Sequence, residues 1–309
     1  MMTDKIVQFS EVKYRYGPIT ALRGISFSLE AGEIFGFIGP NGCGKTTTIR
    51  IMLGLYRPYN GSVEVFNKNP LLNLSQIGPK IGMMLEQPGL FSFLTAKEYL
   101  NVYSGIYRMC SAVSKLHIDE ALSVVGLENY QDRRTNTFSK GMKQRLSLAR
   151  CLLNHPELII LDEPFDGIDA ETRRKILQLL PMVSRTRGTT VFITSHNLRE
   201  IELICDRIAI VKNGSILALD RRETLCNQDS KRFVLIEVEP GQNDMISNMI
   251  PPGSEFNDSQ NLIRIEIADD ESRNVEIKRI LDKGIRIKSI NEHKTSLEDI
   301  YFSMTDKDQ

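Results

Sequence analysis

The 309 residues are enough for a large core and predict one big domain with a smaller companion, or two comparable ones. Lys+Arg and Asp+Glu stand at 39 each, and this balance gives no sign of the strongly basic face that nucleic-acid binders use. The five cysteines (Cys43, Cys110, Cys151, Cys205, Cys226) are scattered without a C-x-x-C pair, which argues for reduced thiols and against a disulfide frame or zinc site.

The opening stretch MMTDKIVQFS lacks the basic and apolar regions of a signal peptide, and no apolar run reaches bilayer-spanning length. Any membrane role is therefore expected to come through a partner. From there Ile6, Val7 and Phe9, then Val12, Tyr14 and Tyr16, alternate as strand residues do. Gly17 and Pro18 break the pattern, and Ile25, Phe27 and Leu29 resume it before the turn at Ala31 and Gly32. An antiparallel edge sheet is expected here, feeding the next strand.

That strand opens the stretch IFGFIGPNGCGKTTTI, from Ile34 to Ile49. It reads as apolar strand, then G-x-x-x-x-G-K-T, then helix, the context in which this motif is specific. A triphosphate carries several negative charges, and a backbone approaches it closely only where side chains are absent, as at Gly39, Gly42 and Gly44. The run Gly39, Pro40, Asn41, Gly42, Cys43, Gly44, Lys45, Thr46 and Thr47 is the expected nucleotide-binding segment, its N–H groups and the helix dipole attracting phosphate. Lys45 is expected to reach the β- and γ-phosphates of ATP, and the Thr46 hydroxyl to hold Mg²⁺. Cys43 lies inside this loop, so its alkylation is expected to block ATP binding.

Further on, Ser62 to Phe66 alternates as a short strand after the turn at Asn60 and Gly61, and Ile81 to Leu85 forms another that ends at Glu86, Gln87 and Pro88. From Leu94 to about Leu153 the apolar spacing is helical (Leu100, Tyr103, Ile106, Tyr107; Ile118, Ala121, Leu122, Val125). Leu158 to Leu161 then form an apolar run that fits a buried parallel strand. The run ends in Asp162 and Glu163, carboxylates where open α/β sheets bind ligands. Asp162 is expected to hold Mg²⁺ and Glu163 to take a proton from the attacking water. Thr189 to Ser195 repeats the arrangement and delivers His196 to the same edge, whereas His117, His155 and His293 read as ordinary loop or hydrogen-bonded histidines.

Between these strands stands FSKGMKQR, from Phe138 to Arg145. In order, the chain shows Tyr16, the phosphate loop, Glu86 and Gln87, S-x-G-x-x-Q-R, a D-E-P strand end, Asp169 and His196. This ordered set resembles the ATP-binding cassette (ABC) ATPases over roughly residues 4 to 222. The resemblance implies an α/β P-loop NTPase with a mainly parallel core sheet, an antiparallel β subdomain and an inserted helical subdomain at about 88–154, all within a nucleotide-binding domain at 1–226. It further implies ATPase activity from two cassettes packed head to tail around two ATPs. Ser139 and Gly141 would contact the γ-phosphate bound by the other copy, Glu163 would be the general base, and His196 would contact the γ-phosphate. Tyr16 would be an adenine platform, Asp169 would belong to the loop coupling the two sites, and Glu86 or Gln87 would contact the metal. The chain departs from the family pattern at Lys140 and Met142, which replace a glycine and a glutamine, and at Phe165 and Asp166, which replace small residues. Glu86, and not Gln87, aligns with the family's glutamine.

Beyond Arg222, the polar run from Asn227 to Lys231 reads as a linker. Phe233–Glu239, Leu262–Ile267 and Ile285–Ile290 read as strands, Val275, Ile277, Ile280 and Leu281 as one side of a helix, and Leu297–Met304 as a last helix. A small α+β accessory domain at 227–309 is expected, for dimer support or regulation. Its end, SLEDIYF, resembles the C-terminal appendage of bacterial ABC-2 type export ATPases, including those of drug and sodium efflux. The whole likeness implies an ATPase subunit on the inner, cytoplasmic face of the membrane. It would drive a separate permease, in export, as a homodimer without nucleic acid. A GTPase is disfavoured because Asn67-Lys68-Asn69-Pro70 fails N-K-x-D at its last position, and Glu163 argues against a non-catalytic regulator. A soluble cassette ATPase acting on ribosomes or DNA is the rival reading.

Overall fold

A computed structural model describes residues 4–85, 89–228, 232–239, 246, 254–257, 261–267 and 270–294. The chain forms two compact units that divide between Arg222 and Glu223. In the first the elements run β1 (Lys5–Tyr16), β2 (Ile19–Glu30), β3 (Ile34–Ile38), α1 (Lys45–Met52), β4 (Asn60–Val65), α2 (Pro70–Ile77), β5 (Ile81–Met84), α3 (Ala96–Ile106), α4 (Ser111–Val124), α5 (Lys140–Leu152), β6 (Leu158–Asp162), α6 (Ala170–Arg187), β7 (Thr190–Ser195), α7 (Leu198–Ile204), β8 (Arg207–Lys212) and β9 (Ser215–Arg221). Then follow α8 (Arg222–Gln228), β10 (Arg232–Val238), β11 (Glu255–Asn257), β12 (Leu262–Ile267), α9 (Asp270–Asp282) and β13 (Ile287–Lys294).

Every residue of β3, β6 and β7 is buried, as continuous apolar runs covered on both faces must be. They sit inside a six-stranded sheet of order β5-β6-β7-β3-β8-β9, parallel except for the β8–β9 hairpin. That hairpin, turning at Asn213 and Gly214, both at positive φ, is left unassigned by the sequence reading, although Asn-Gly between apolar runs is its usual signal. Parallel pairing brings the C-terminal ends of β3, β6 and β7 to one edge. β1, β2 and β4 form a separate antiparallel sheet in which Phe9 faces Phe27 and Val7 faces Val65. Phe27 packs its ring on Phe35, Phe37 and Phe192, with centroids 5.5, 5.5 and 6.2 Å away, and so binds the two sheets into one core. The helical block resolves into α3, α4 and α5. Thr95 and Glu98 close a capping box on α3, which sets where that block begins.

The second unit is a four-stranded antiparallel sheet of order β11-β12-β10-β13. Val234, Ile236 and Val238 share its buried face with Ile263, Ile265 and Ile267, and Ile280 of α9 covers them. The sequence suggested three strands. The structure adds the short edge strand β11 and carries β13 on to Lys294, because backbone pairing with β10 continues past the apolar run. The helix expected at Leu297–Met304 lies outside the described residues.

Candidate active site

β3 ends in the middle of the parallel sheet, and the chain turns at once into the phosphate loop. Gly39 leaves no room for a side chain, since a Cβ there would lie 2.2 Å from the Val211 carbonyl oxygen. Gly44 caps α1 at φ +111°, a region that favours glycine, and its Cβ would strike Leu22 at 2.6 Å. No side chain caps α1 and no acidic residue stands in its first turn, whereas α6 begins with Asp169 bonded to the Thr172 N–H. The first N–H groups of α1 are thus left for an anion.

Three charged or polar side chains meet beside this helix end. Lys45 Nζ donates to the Gly39 and Pro40 carbonyls at 2.7 and 3.2 Å and pairs with Glu163 Oε1 at 3.1 Å. The other Glu163 oxygen, Oε2, accepts from the His196 backbone N–H at 3.2 Å and lies 2.9 Å from His196 Nδ1. Lys45 is 7 % exposed and Glu163 12 %, so this pairing takes place largely out of water, while His196 stands half in solvent. Next to them Asp162 is buried, its Oδ1 accepting from the Thr194 hydroxyl at 2.8 Å and its Oδ2 from the Thr46 hydroxyl at 3.1 Å. Glu163 itself adopts φ +49°, a strained setting for a side-chain-bearing residue. Its N–H donates to Thr194 Oγ1 at 3.1 Å, and its carbonyl accepts from the Asp166 N–H at 3.2 Å.

Of these groups, Lys45, Thr46, Glu163 and His196 line a cleft of about 450 Å³ that also takes in Tyr16, Asn41, Thr47 and Asp166, while Asp162 and Thr194 stay buried outside its lining. Tyr16 is 40 % exposed, with its hydroxyl 3.2 Å from Thr47 Oγ1. Its ring is wedged edge-on against Tyr14 and Tyr56, which stack on each other at 5.3 Å. Cys43 departs from the expectation attached to it. Its side chain is buried in the core, and desolvation pushes the thiol up, partly offset by the Lys45 charge. A thiol so placed is a poor nucleophile.

Ser139 and Gly141 are not among the residues lining that cleft. Ser139 caps α5 through the Met142 N–H, and Gly141 packs so tightly on α6 that a Cβ would lie 2.5 Å from Thr172 Oγ1 and 2.9 Å from Asp169 Oδ2. Asp169 bonds both the N–H and the hydroxyl of Thr172, which hold its carboxyl below the usual range. Glu86 and Gln87 lie outside the described residues. Sequence reasoning missed three contributors. Thr194 sits between Asp162 and Glu163, and Gln144 donates to the Pro164 carbonyl at 2.8 Å; the third, Arg150, lies away from the cleft and ties α5 to β5 and α3 through the Met83 carbonyl and the Tyr99 and Tyr103 hydroxyls. Only Gln144 had a signal, its place in S-x-G-x-x-Q-R.

The profile of the ABC transporter family matches residues 22–166. YhcH, an ABC transporter ATP-binding protein of Bacillus subtilis (strain 168), is 36 % identical over 93 % of this chain and 91 % of its own length. BcrA, a bacitracin transport ATP-binding protein of Enterococcus faecalis, is 34 % identical over 98 % of this chain and 97 % of its own. Among solved structures, the ATP-binding cassette MJ0796, a dimer in a post-hydrolysis state bound to ADP and Pi, superposes with a TM-score of 0.64 at 29 % identity, covering 70 % of this chain and 98 % of that one.

Proposed function

The chain belongs to the ABC transporter family as an ATP-binding, ATP-hydrolysing subunit, and from that premise we propose that two copies close head to tail around two ATPs to drive a separate membrane permease in export. The observation that carries this reading is the linked cluster of Lys45, Glu163 and His196 beside Thr46 and Asp162, at the shared edge of β3, β6 and β7. ATP entering the loop meets the α1 N–H groups and competes with Glu163 for the Lys45 ammonium. Freed from that cation, Glu163 accepts the proton of the attacking water at a carboxylate oxygen, and His196 stays beside it to meet the γ-phosphate. Tyr16 offers its ring to the adenine.

Thr46 Oγ1 and Asp162 Oδ2, oxygen donors beside the phosphate loop, suit a hard cation, and they are the residues that would hold Mg²⁺. When bound, the ion offsets charge on the β- and γ-phosphates.

Ser139 and Gly141 serve the nucleotide of the other copy, which is supported by their standing outside the cleft of their own chain. The permease docks beside the helical subdomain, where Phe91 and Phe93 are 42 and 68 % exposed with their rings 6.1 Å apart, an adjacent pair of apolar side chains facing solvent. Among the described residues no helix is long and apolar enough to cross a membrane, and attachment at the inner face through the permease is part of this proposal. Export is supported by the C-terminal likeness to ABC-2 type ATPases, and the match to the bacitracin transport protein over both units supports a role in transport. The test is Glu163→Gln, which keeps the shape and removes the base. It is expected to stop hydrolysis while ATP converts the protein to a stable dimer on size exclusion. Undiminished turnover overturns the assigned base. An ATP-dependent complex with ribosomes or DNA, and no permease on purification from membranes, overturns the transport reading.

A further inference from the structure

Glu163 keeps a strained backbone, so something must hold it on both sides. On one side Thr194 Oγ1 takes its N–H. On the other, the Pro164 carbonyl accepts a buried hydrogen bond from Gln144 Nε2 at 2.8 Å. Gln144 is 2 % exposed and belongs to α5, the helix whose first turn carries Ser139 and Gly141. About 7.5 Å of helix separates Ser139 from Gln144, too short a lever to bend. Its starting end is locked to the segment after Glu163, because the Lys140 side chain lies over Gly167 and Gly141 rests against Asp169 and Thr172.

We propose that Gln144 is a positioning residue that relays nucleotide contact at the Ser139–Gly141 corner to the chain's own Glu163. A phosphate that draws the α5 N-terminus toward the partner's site moves Gln144, and with it the turn at Pro164 that aims the carboxylate. Hydrolysis in one site then depends on nucleotide in the other. The relay rests on the head-to-tail dimer proposed above, whereas the pinning of Pro164 does not. No bond is made or broken in this step.

Two substitutions test it in the full-length protein. Gln144→Met keeps the reach and loses the donor. Gln144→Glu keeps the shape and donates only when its carboxyl is protonated. For Gln144→Met, turnover at saturating ATP is expected to fall about 10²-fold, the scale of a roughly 1 Å misplacement, with ATP affinity changed less than about two-fold. Its Hill coefficient for ATP falls from above unity to unity. For Gln144→Glu, burial raises the pKa of the new carboxyl, so turnover relative to wild type rises as pH is lowered from about 8 to about 6 and protonation restores the donor. A merely structural role would lower ATP affinity, melting temperature and turnover together without that pH trend, and such a result overturns the proposal. So does wild-type turnover in Gln144→Met, or a Hill coefficient unchanged from wild type. Failure of Glu163→Gln to dimerise with ATP sinks the dimer reading instead, and is read separately on size exclusion.

Discussion

Around Lys45 the groups answer one another by charge: an ammonium, a carboxylate and an imidazole within 3.1 Å, with two loop carbonyls completing the shell. Around Gly141 the fit is one of shape, with two helix ends so close that a methyl group has nowhere to go. A site held by charge can lose its chemistry and keep its fold. A site held by contact loses both together.

The largest effect that would sharpen this contrast is Glu163→Gln, expected to cut turnover about 10²–10⁴-fold, the usual worth of a general base, with the melting temperature nearly unchanged. A large fall in melting temperature would break the comparison. Gly141→Ala comes next. Its methyl must displace the Asp169–Thr172 cap, and overpacking of this kind costs about 1–3 kcal/mol. Chemical denaturation should show that loss, along with an ATP-dependent dimer that no longer forms, while ATP binding to the monomer survives. Asp169→Asn probes the same contact more gently. Because the folded state holds this carboxyl low, its contribution is present above the unfolded pKa and disappears as pH falls through the folded one. The variant should therefore lose part of the acid limb of the stability–pH curve, measured by thermal melts across the carboxylate range. Smallest is the effect of alkylation on native protein. Iodoacetamide is expected to label exposed Cys110 and spare Cys43, leaving nucleotide affinity intact, as peptide mapping and an ATP titration would show.

Much of the cradle could be read directly. Gly39 to Thr47 form one uninterrupted run in which the glycines, Lys45 and Thr46 are the residue types that a phosphate and its metal require, and the buried strand before Asp162 declares itself by four apolar residues in a row. Cys43 was legible as a loop residue but not as a buried one, since a nine-residue pattern does not say which way a side chain turns. Glu163 was legible as an acid after a strand. Its strained backbone was not, because that conformation is imposed by Thr194 and the following turn. In the second unit, alternation at Leu262–Ile267 announced a strand, while the brief β11 has too few residues to form a pattern.

The sequence by itself determined the chemistry on offer, because backbone access, apolar burial and the placing of a lysine or an acid at a strand end are all requirements met within a few neighbouring residues. Tertiary structure alone decided who partners whom. Thr46 bonds Asp162 from 116 positions away, Thr194 from 32, and Gln144 finds the Pro164 carbonyl from 20. Such bonds depend on how β6 and β7 come to lie beside β3 and how α5 is laid against them, which is a property of the closed chain and leaves no local spacing to read.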